Sequence, residues 1–312
     1  MPQALLCMSH SPLLAHTEPP ADVKAAVEDS FDHARAFVHE YDPDLVINFG
    51  PDHYNGFFQD LMPPFCVAFK AHGTGDYDSF DGALDVPTEI AEDLADFLVN
   101  EDLDVAISRD MEVDHGAVQP MEILYTDPSV KPMIPIFINS VARPFTKVSR
   151  VRQLGEAIGR YFKNSDKKVL FIGSGGLSHD PPVPRFHEAS EEQQQFLVAG
   201  RNPTPEQRAA RQQRTIDTAK AFARGEADIM DLNPDWDRAF LDMCRSGDVT
   251  KFDALNADEM DAVAGHSSHE VRTWVAAYSA LRACGDYEIT YEFYKPIKEY
   301  IAGFSVTTAV IK

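Results

Sequence analysis

The chain alternates between two hydrophobic periods, and that alternation restricts it to a small set of architectures. Ala4–Met8, Leu45–Phe49, Met133–Ile138 and Lys168–Ile172 are short, nearly uninterrupted apolar runs, and Phe65–Phe69 and Val105–Ser108 extend the set. Runs of this length without polar alternation read as strands covered on both faces. Between them, Asp22–Glu40 carries Val23, Ala26, Val27, Phe31, Ala34, Phe37 and Val38 at helical spacing. Pro87–Asn100 does the same with Ile90, Ala91, Leu94, Phe97 and Leu98, and Leu154–Tyr161 is a further helical pattern. Repeated strand–loop–helix order predicts an α/β fold, a mixed central sheet with helices on both faces.

Beyond residue 186 the pattern changes. Residues 187–230 are rich in Glu, Gln, Arg and Ala and predict one or two polar-faced helices broken at Asn202-Pro203. Helical spacing continues from Pro234 to Ala283, and the tail Tyr287–Phe304 is aromatic, with a proline at 296. The expectation is one domain spanning 1–312. Its α/β core takes 1–185 and 286–312, and a largely helical region, formed of an insertion and a helical C-terminal portion, takes 186–285.

Charge narrows the function. With 50 acidic residues against 28 Lys and Arg, the net charge of −22 repels nucleic acid and anionic membranes. No run reaches the 18 apolar residues of a membrane span, and MPQALLCMSH lacks the basic and apolar parts of a secretory leader. Cytoplasmic location follows by default. Cys7, Cys66, Cys244 and Cys284 are scattered, which predicts reduced thiols and no disulfide framework. A small anionic substrate would need a local positive site, and a metal ion is one source of it.

Histidines sit where strands end. His10 follows the first run in M-S-H-S-P, His53 follows Leu45–Phe49 in G-P-D-H-Y, and His179 follows Lys168–Ile172 in G-S-G-G-L-S-H-D. His115, in V-D-H-G, follows Val105–Ser108 at longer range. In an open α/β sheet, ligands bind outside the carboxyl ends of the strands, so the four histidines can converge on one cleft. A lone loop histidine is usually a surface or turn residue, and His16, His33, His39, His72 and His187 take that reading. Asp52 and Asp114 precede His53 and His115; orienting an imidazole and capping backbone are equally open roles for them. The G-S-G-G-L-S segment lacks the order of a phosphate loop and reads as a tight turn aiming His179 into the cleft. Ser174 and Ser178 do not form a nucleophile elbow.

A carboxylate is available in A-G-H-S-S-H-E-V-R-T-W-V. Glu270 opens an apolar helix that Ser267 or Ser268 would cap; a metal ligand and a favourable helix N-terminal charge are equally open roles for it. His266 and His269 beside it either support the site or lie on the surface. Two histidines and one carboxylate form the facial triad of non-haem Fe(II) oxygenases, although zinc hydrolases use the same ligand types. A binding protein without catalysis is the non-enzymatic alternative.

At these residues the sequence resembles the class III extradiol ring-cleavage dioxygenases. The resemblance runs through CMSHSPL, PDHYNGFFQDLMPPFC, VDHGAVQP, IGSGGLSHDPPVP, NPDWD, HEVRTWVAA and YKPIKEYIAGF, from one end of the chain to the other. It implies Fe(II) held by His10, His53 and Glu270, with His179 as proton acceptor and His115 as proton donor. It also implies a homo-oligomer that opens a catechol with O2, the catechol carrying a propionate arm. Arg185, Arg272 and Lys295 are candidate partners for that carboxylate by their nearness to the motifs, although most Arg and Lys are solvated surface charges and none is assigned. Phe57, Phe58, Phe65 and Pro181-Pro182 either line the ring pocket or, as is commoner for such residues, pack the core.

Overall fold

The computed structural model describes residues 3–312. In chain order the elements are β1 (Ala4–Met8), α1 (Ala21–Tyr41), β2 (Leu45–Gly50), β3 (Phe65–Ala68), β4 (Ala71–Thr74), β5 (Asp81–Ala83) and α2 (Thr88–Asn100). They continue with β6 (Ala106–Ser108), β7 (Met111–Val113), α3 (His115–Tyr125), β8 (Met133–Ile138), α4 (Val148–Phe162) and β9 (Val169–Ser174). The last are α5 (Glu191–Ala199), α6 (Pro205–Ala223), α7 (Pro234–Arg245), α8 (Ala257–Ala264), α9 (Val271–Cys284), β10 (Tyr287–Ile297) and β11 (Ala302–Ile311).

An eight-stranded mixed sheet runs in the order β10-β11-β1-β9-β2-β8-β3-β6. Its centre, β1-β9-β2-β8, is parallel, and β11 and β3 flank it antiparallel. Side chains on successive residues point to opposite faces, which sorts each strand between two cores. Leu5, Cys7, Ile47, Phe49 and Phe171 pack under α2, α4 and α9. Leu6, Met8, Val46, Leu170 and Ile172 pack under α1 and α3. Both faces are covered, which is why the central strands carry almost no polar residue. Helix α9 lies tightly on α4: a Cβ at Gly155 would stand 2.2 Å from the Ala276 carbonyl oxygen.

The α/β fold with a mixed sheet is the one the periodicity predicts, with boundaries moved by a few residues. The 187–230 segment is two helices, α5 and α6, broken where Asn202 takes a left-handed φ of 58°. The helical region ends at Cys284, and Tyr287–Ile311 forms a hairpin that extends the sheet, with Pro296 on its edge strand β10, a position where a missing N–H is tolerated. A second sheet, β5-β4-β7, has strands of three or four residues, too short to show any periodicity. No helix among the described residues is long and apolar enough to cross a membrane.

Candidate active site

The parallel strands β1, β2 and β9 end on the same side of the sheet, and the loops beyond them carry His10, His53 and His179. His115 arrives differently. It opens α3 directly after β7 of the small sheet, not after the Val105–Ser108 strand. Glu270 comes from the far side, in a single 3-10 turn that leads into α9. Neither Ser267 nor Ser268 caps that helix. All five side chains line one cleft.

Glu270 is the hub of the cluster. Its Oε1 lies 3.0 Å from His53 Nε2 and 3.1 Å from His179 Nε2, and its Oε2 lies 3.6 Å from His10 Nε2. The Gly176 N–H donates to Oε2 at 2.9 Å. Close approach here needs glycine, since a Cβ at Gly175 would stand 2.6 Å from Glu270 Cβ. The His10 and His53 rings meet edge to face at 5.4 Å, and His53 stacks on His115 at 4.5 Å.

Each imidazole is tied to the protein through Nδ1. His179 Nδ1 faces the Leu177 carbonyl at 2.9 Å, and a carbonyl only accepts, so Nδ1 carries the proton. His115 Nδ1 donates to Asp76 Oδ2 at 2.5 Å, and His53 Nδ1 donates to Asp114 Oδ2 at 2.9 Å. For His10 the partner is Ser174 Oγ at 2.8 Å, whose own hydroxyl proton goes to the Gly116 carbonyl at 2.5 Å. Ser174 therefore accepts, and His10 Nδ1 must donate. In all four rings Nε2 remains for the cleft.

Electrostatics follow from burial and these pairings. Burial alone would raise the Glu270 carboxyl, but the facing His179 and His10, with hydrogen bonds from His179 and His53, hold it well below the usual range. Burial pushes His10 down to about 3, against the pull of Glu270, so it is neutral. Burial would also lower His53 and His179. The charges of Asp114 and Glu270 outweigh it for His53, and Glu270 outweighs it for His179, so both are raised. A buried carboxylate facing three imidazole nitrogens demands positive charge among them, either protons on the rings or a cation. One nitrogen from each of His10, His53 and His115 lies within 4.8 Å of the others. With the neutral Nε2 of His10 beside an ionised carboxylate, this donor set fits a metal ion.

The paired aspartates divide differently from their sequence order. Asp114 serves His53, not its neighbour His115, and also caps α3 at the Gly116 N–H. Asp52 caps the turn at the N–H groups of Asn55, Gly56 and Phe57. His115 is held instead by Asp76, buried in a turn where Tyr77 has a φ of 49°. Nothing in the GTGDYD stretch announces that role; a turn rich in Gly and Asp is its only signal. Ser174, passed over as a nucleophile, is the partner of His10. Asp237 of N-P-D-W-D receives the N–H and hydroxyl of Ser178 and the Tyr294 hydroxyl, bracing the loop that carries His179.

The other expected residues lie elsewhere. His269 is buried against Asp261 and Phe145, and His266 bonds Asp180 and Arg185. Arg272 is enclosed between the Thr146 carbonyl and the Phe145 ring, Arg185 pairs with Glu188, and Lys295 with Asp22. None of these lines the cleft. Pro181 and Pro182 do line it, joined by Leu13, Phe196 and Ile301. Phe57 stacks on Phe137 instead, and Phe58 and Phe65 are core.

Residues 4–310 match the family of the catalytic LigB subunit of aromatic ring-opening dioxygenases, and the chain belongs to that family. It is an enzyme that opens catechol rings with O2, and the family's use of a metal agrees with the donor set above. The chain is 72% identical over 312 residues to a 2,3-dihydroxyphenylpropionate/2,3-dihydroxicinnamic acid 1,2-dioxygenase of Rhodococcus globerulus, covering 100% of this chain and 99% of that one. It is 69% identical over 310 residues to the Rhodococcus rhodochrous enzyme of the same name, covering 99% and 98%. A crystal structure of an uncharacterized Escherichia coli K12 protein, JW3007, shares the fold with a TM-score of 0.51 at 13% identity, over 97% of this chain and 98% of that one.

Proposed function

We propose that the enzyme cleaves 2,3-dihydroxyphenylpropionate, and its cinnamate analogue, beside the hydroxyl pair with iron(II) as cofactor. The propionate substrate would yield 2-hydroxy-6-oxonona-2,4-dienedioate. The substrate reading rests on the names of the relatives that match along the whole chain. The iron reading rests on His10, His53 and Glu270 as a set of two imidazoles and one carboxylate, the pattern of non-haem Fe(II) oxygenases. When bound, iron(II) supplies a Lewis acid for the two catechol oxygens and an electron path between ring and O2.

The chain's own residues handle the protons. His179, with its Nδ1 proton fixed on the Leu177 carbonyl, presents Nε2 as the acceptor for a catechol hydroxyl proton. His115, anchored through Nδ1 to Asp76, presents Nε2 to the cleft as the proton donor to the oxygen that departs. Pro181, Pro182 and Ile301 offer the reacting ring an apolar wall. Phe196, Arg211 and Glu270 from the helical region share this cleft with residues of the α/β core, which supports one catalytic domain across 1–312.

The observation that carries the assignment is the common anchoring of four imidazoles through Nδ1 around one carboxylate. Its test compares metal content and turnover in four variants. His10→Ala and Glu270→Gln should lose iron. His115→Ala and His179→Ala should keep it and lose turnover by at least ~100-fold. Equal metal loss in all four would sink the division of roles.

A further inference from the structure

We propose that Arg211 is the specificity-determining residue of the cleft, its guanidinium receiving the carboxylate on the side arm of the catechol. This rests on the reading above that the substrate carries such an arm. Among the described residues lining the cleft, Arg211 is the sole lysine or arginine. The remaining wall is apolar or neutral polar apart from the histidine cluster around Glu270, so away from that cluster and its metal a carboxylate meets no other cationic side chain there.

The guanidinium is fixed but not neutralised. It donates to the Tyr54 carbonyl at 2.9 Å and to Asn55 Oδ1, and it lies over the Phe196 ring at 5.0 Å. The two hydrogen bonds use two of its five N–H donors, and none of the three partners carries a negative charge. The chain has 50 acidic residues, and nearby Arg201 pairs with Glu112. Among the described residues no ion pair involves Arg211, whose polar partners are the two neutral oxygens. A guanidinium held in place with donors to spare is preorganised for bidentate recognition of a carboxylate.

Its position suits the arm. Arg211 reaches Asn55, whose amide donates to Asp114 Oδ2 at 2.9 Å, and Asp114 holds His53. One turn further along α6, Thr215 lines the same cleft as Tyr77, and the Tyr77 ring meets His115 at 5.3 Å. Arg211 therefore stands on the same wall as His53 and His115, beside the reacting ring and off the metal donors.

The test uses iron-loaded enzyme and two substrates, 3-(2-carboxyethyl)catechol and neutral 3-propylcatechol. Arg211→Gln should lower the ratio of kcat/KM for the anionic over the neutral substrate roughly 10- to 100-fold, mainly through KM. Arg211→Lys keeps the charge without the fork and should lower it less; it serves as the second variant if the glutamine protein does not fold. An unchanged ratio overturns the assignment. So does an equal fall on both substrates with loss of iron, which would mean that Arg211 acts only through Asn55 and Asp114 on His53. If wild-type enzyme shows no preference for the carboxylate substrate, the substrate reading fails and takes this proposal with it.

Discussion

Asp76→Asn exchanges a buried carboxylate for an amide of the same shape where His115 meets the protein interior. Asp76 accepts from both the backbone N–H of His115, at 2.8 Å, and its ring Nδ1–H, at 2.5 Å. A carboxylate can accept both at once; an amide has one accepting oxygen. If that oxygen keeps the backbone N–H, the amide NH2 faces Nδ1 and drives the ring proton to Nε2, disfavouring the imidazolium. If the amide turns over, two N–H groups confront each other. Either arrangement removes one charge-assisted hydrogen bond, about 1.5–3 kcal/mol in a buried site. If the protonated ring is the form that donates in the rate-limiting step, kcat falls roughly 10- to 150-fold. Iron content should be unchanged, because Asp76 touches none of the three proposed ligands. The assay is initial-rate absorbance of the ring-opened product under air, with metal analysis on the same sample. A double-mutant cycle isolates the mechanism: in the His115→Ala background, Asp76→Asn should cost little further turnover. Full additivity, or loss of iron, would refute the argument that Asp76 works through His115.

Ser174→Ala removes the acceptor that fixes the His10 tautomer and should weaken metal binding about 10- to 100-fold in a metal titration, the range for groups that orient a ligand. Unchanged affinity would mean that His10 is held well enough by packing. Burial, with Arg272 adding to it, keeps His269 down at about 4 despite the Asp261 hydrogen bond. Its folded value lies below the ordinary 6.5, so its contribution to stability is complete above pH 6.5 and fades as pH falls toward about 4, by roughly 3 kcal/mol. Denaturant melts of wild type and His269→Gln across that interval should therefore show a shallower pH slope for the variant; parallel slopes would count against it. Opposite protonation demands on His115 and His179 also predict a bell-shaped rate profile, and a flat one between about pH 5 and 9 would contradict the two-histidine scheme.

Sequence alone determined the central strands, their burial and the placing of His10, His53 and His179 just past their ends. Apolar runs such as Leu45–Phe49 and Lys168–Ile172 must be covered on both faces, and the turns that follow them must leave the sheet at its carboxyl edge. His10, His53 and His179 were therefore legible as a cluster from local pattern. Partnership was not legible, because hydrogen bonds are set by distance in space and not by adjacency. Asp114 stands next to His115 yet serves His53, while Asp76, 39 residues away, serves His115. The strand pairing of Tyr287–Ile311, a segment assigned to the α/β core, escaped for a related reason: its partner β1 lies at the opposite end of the chain. Arg211 was hidden in a polar-faced helix, where every charged residue has the same local pattern. Only the packing of α6 across the cleft turns that one arginine inward, to a place where no carboxylate among the described residues pairs with it.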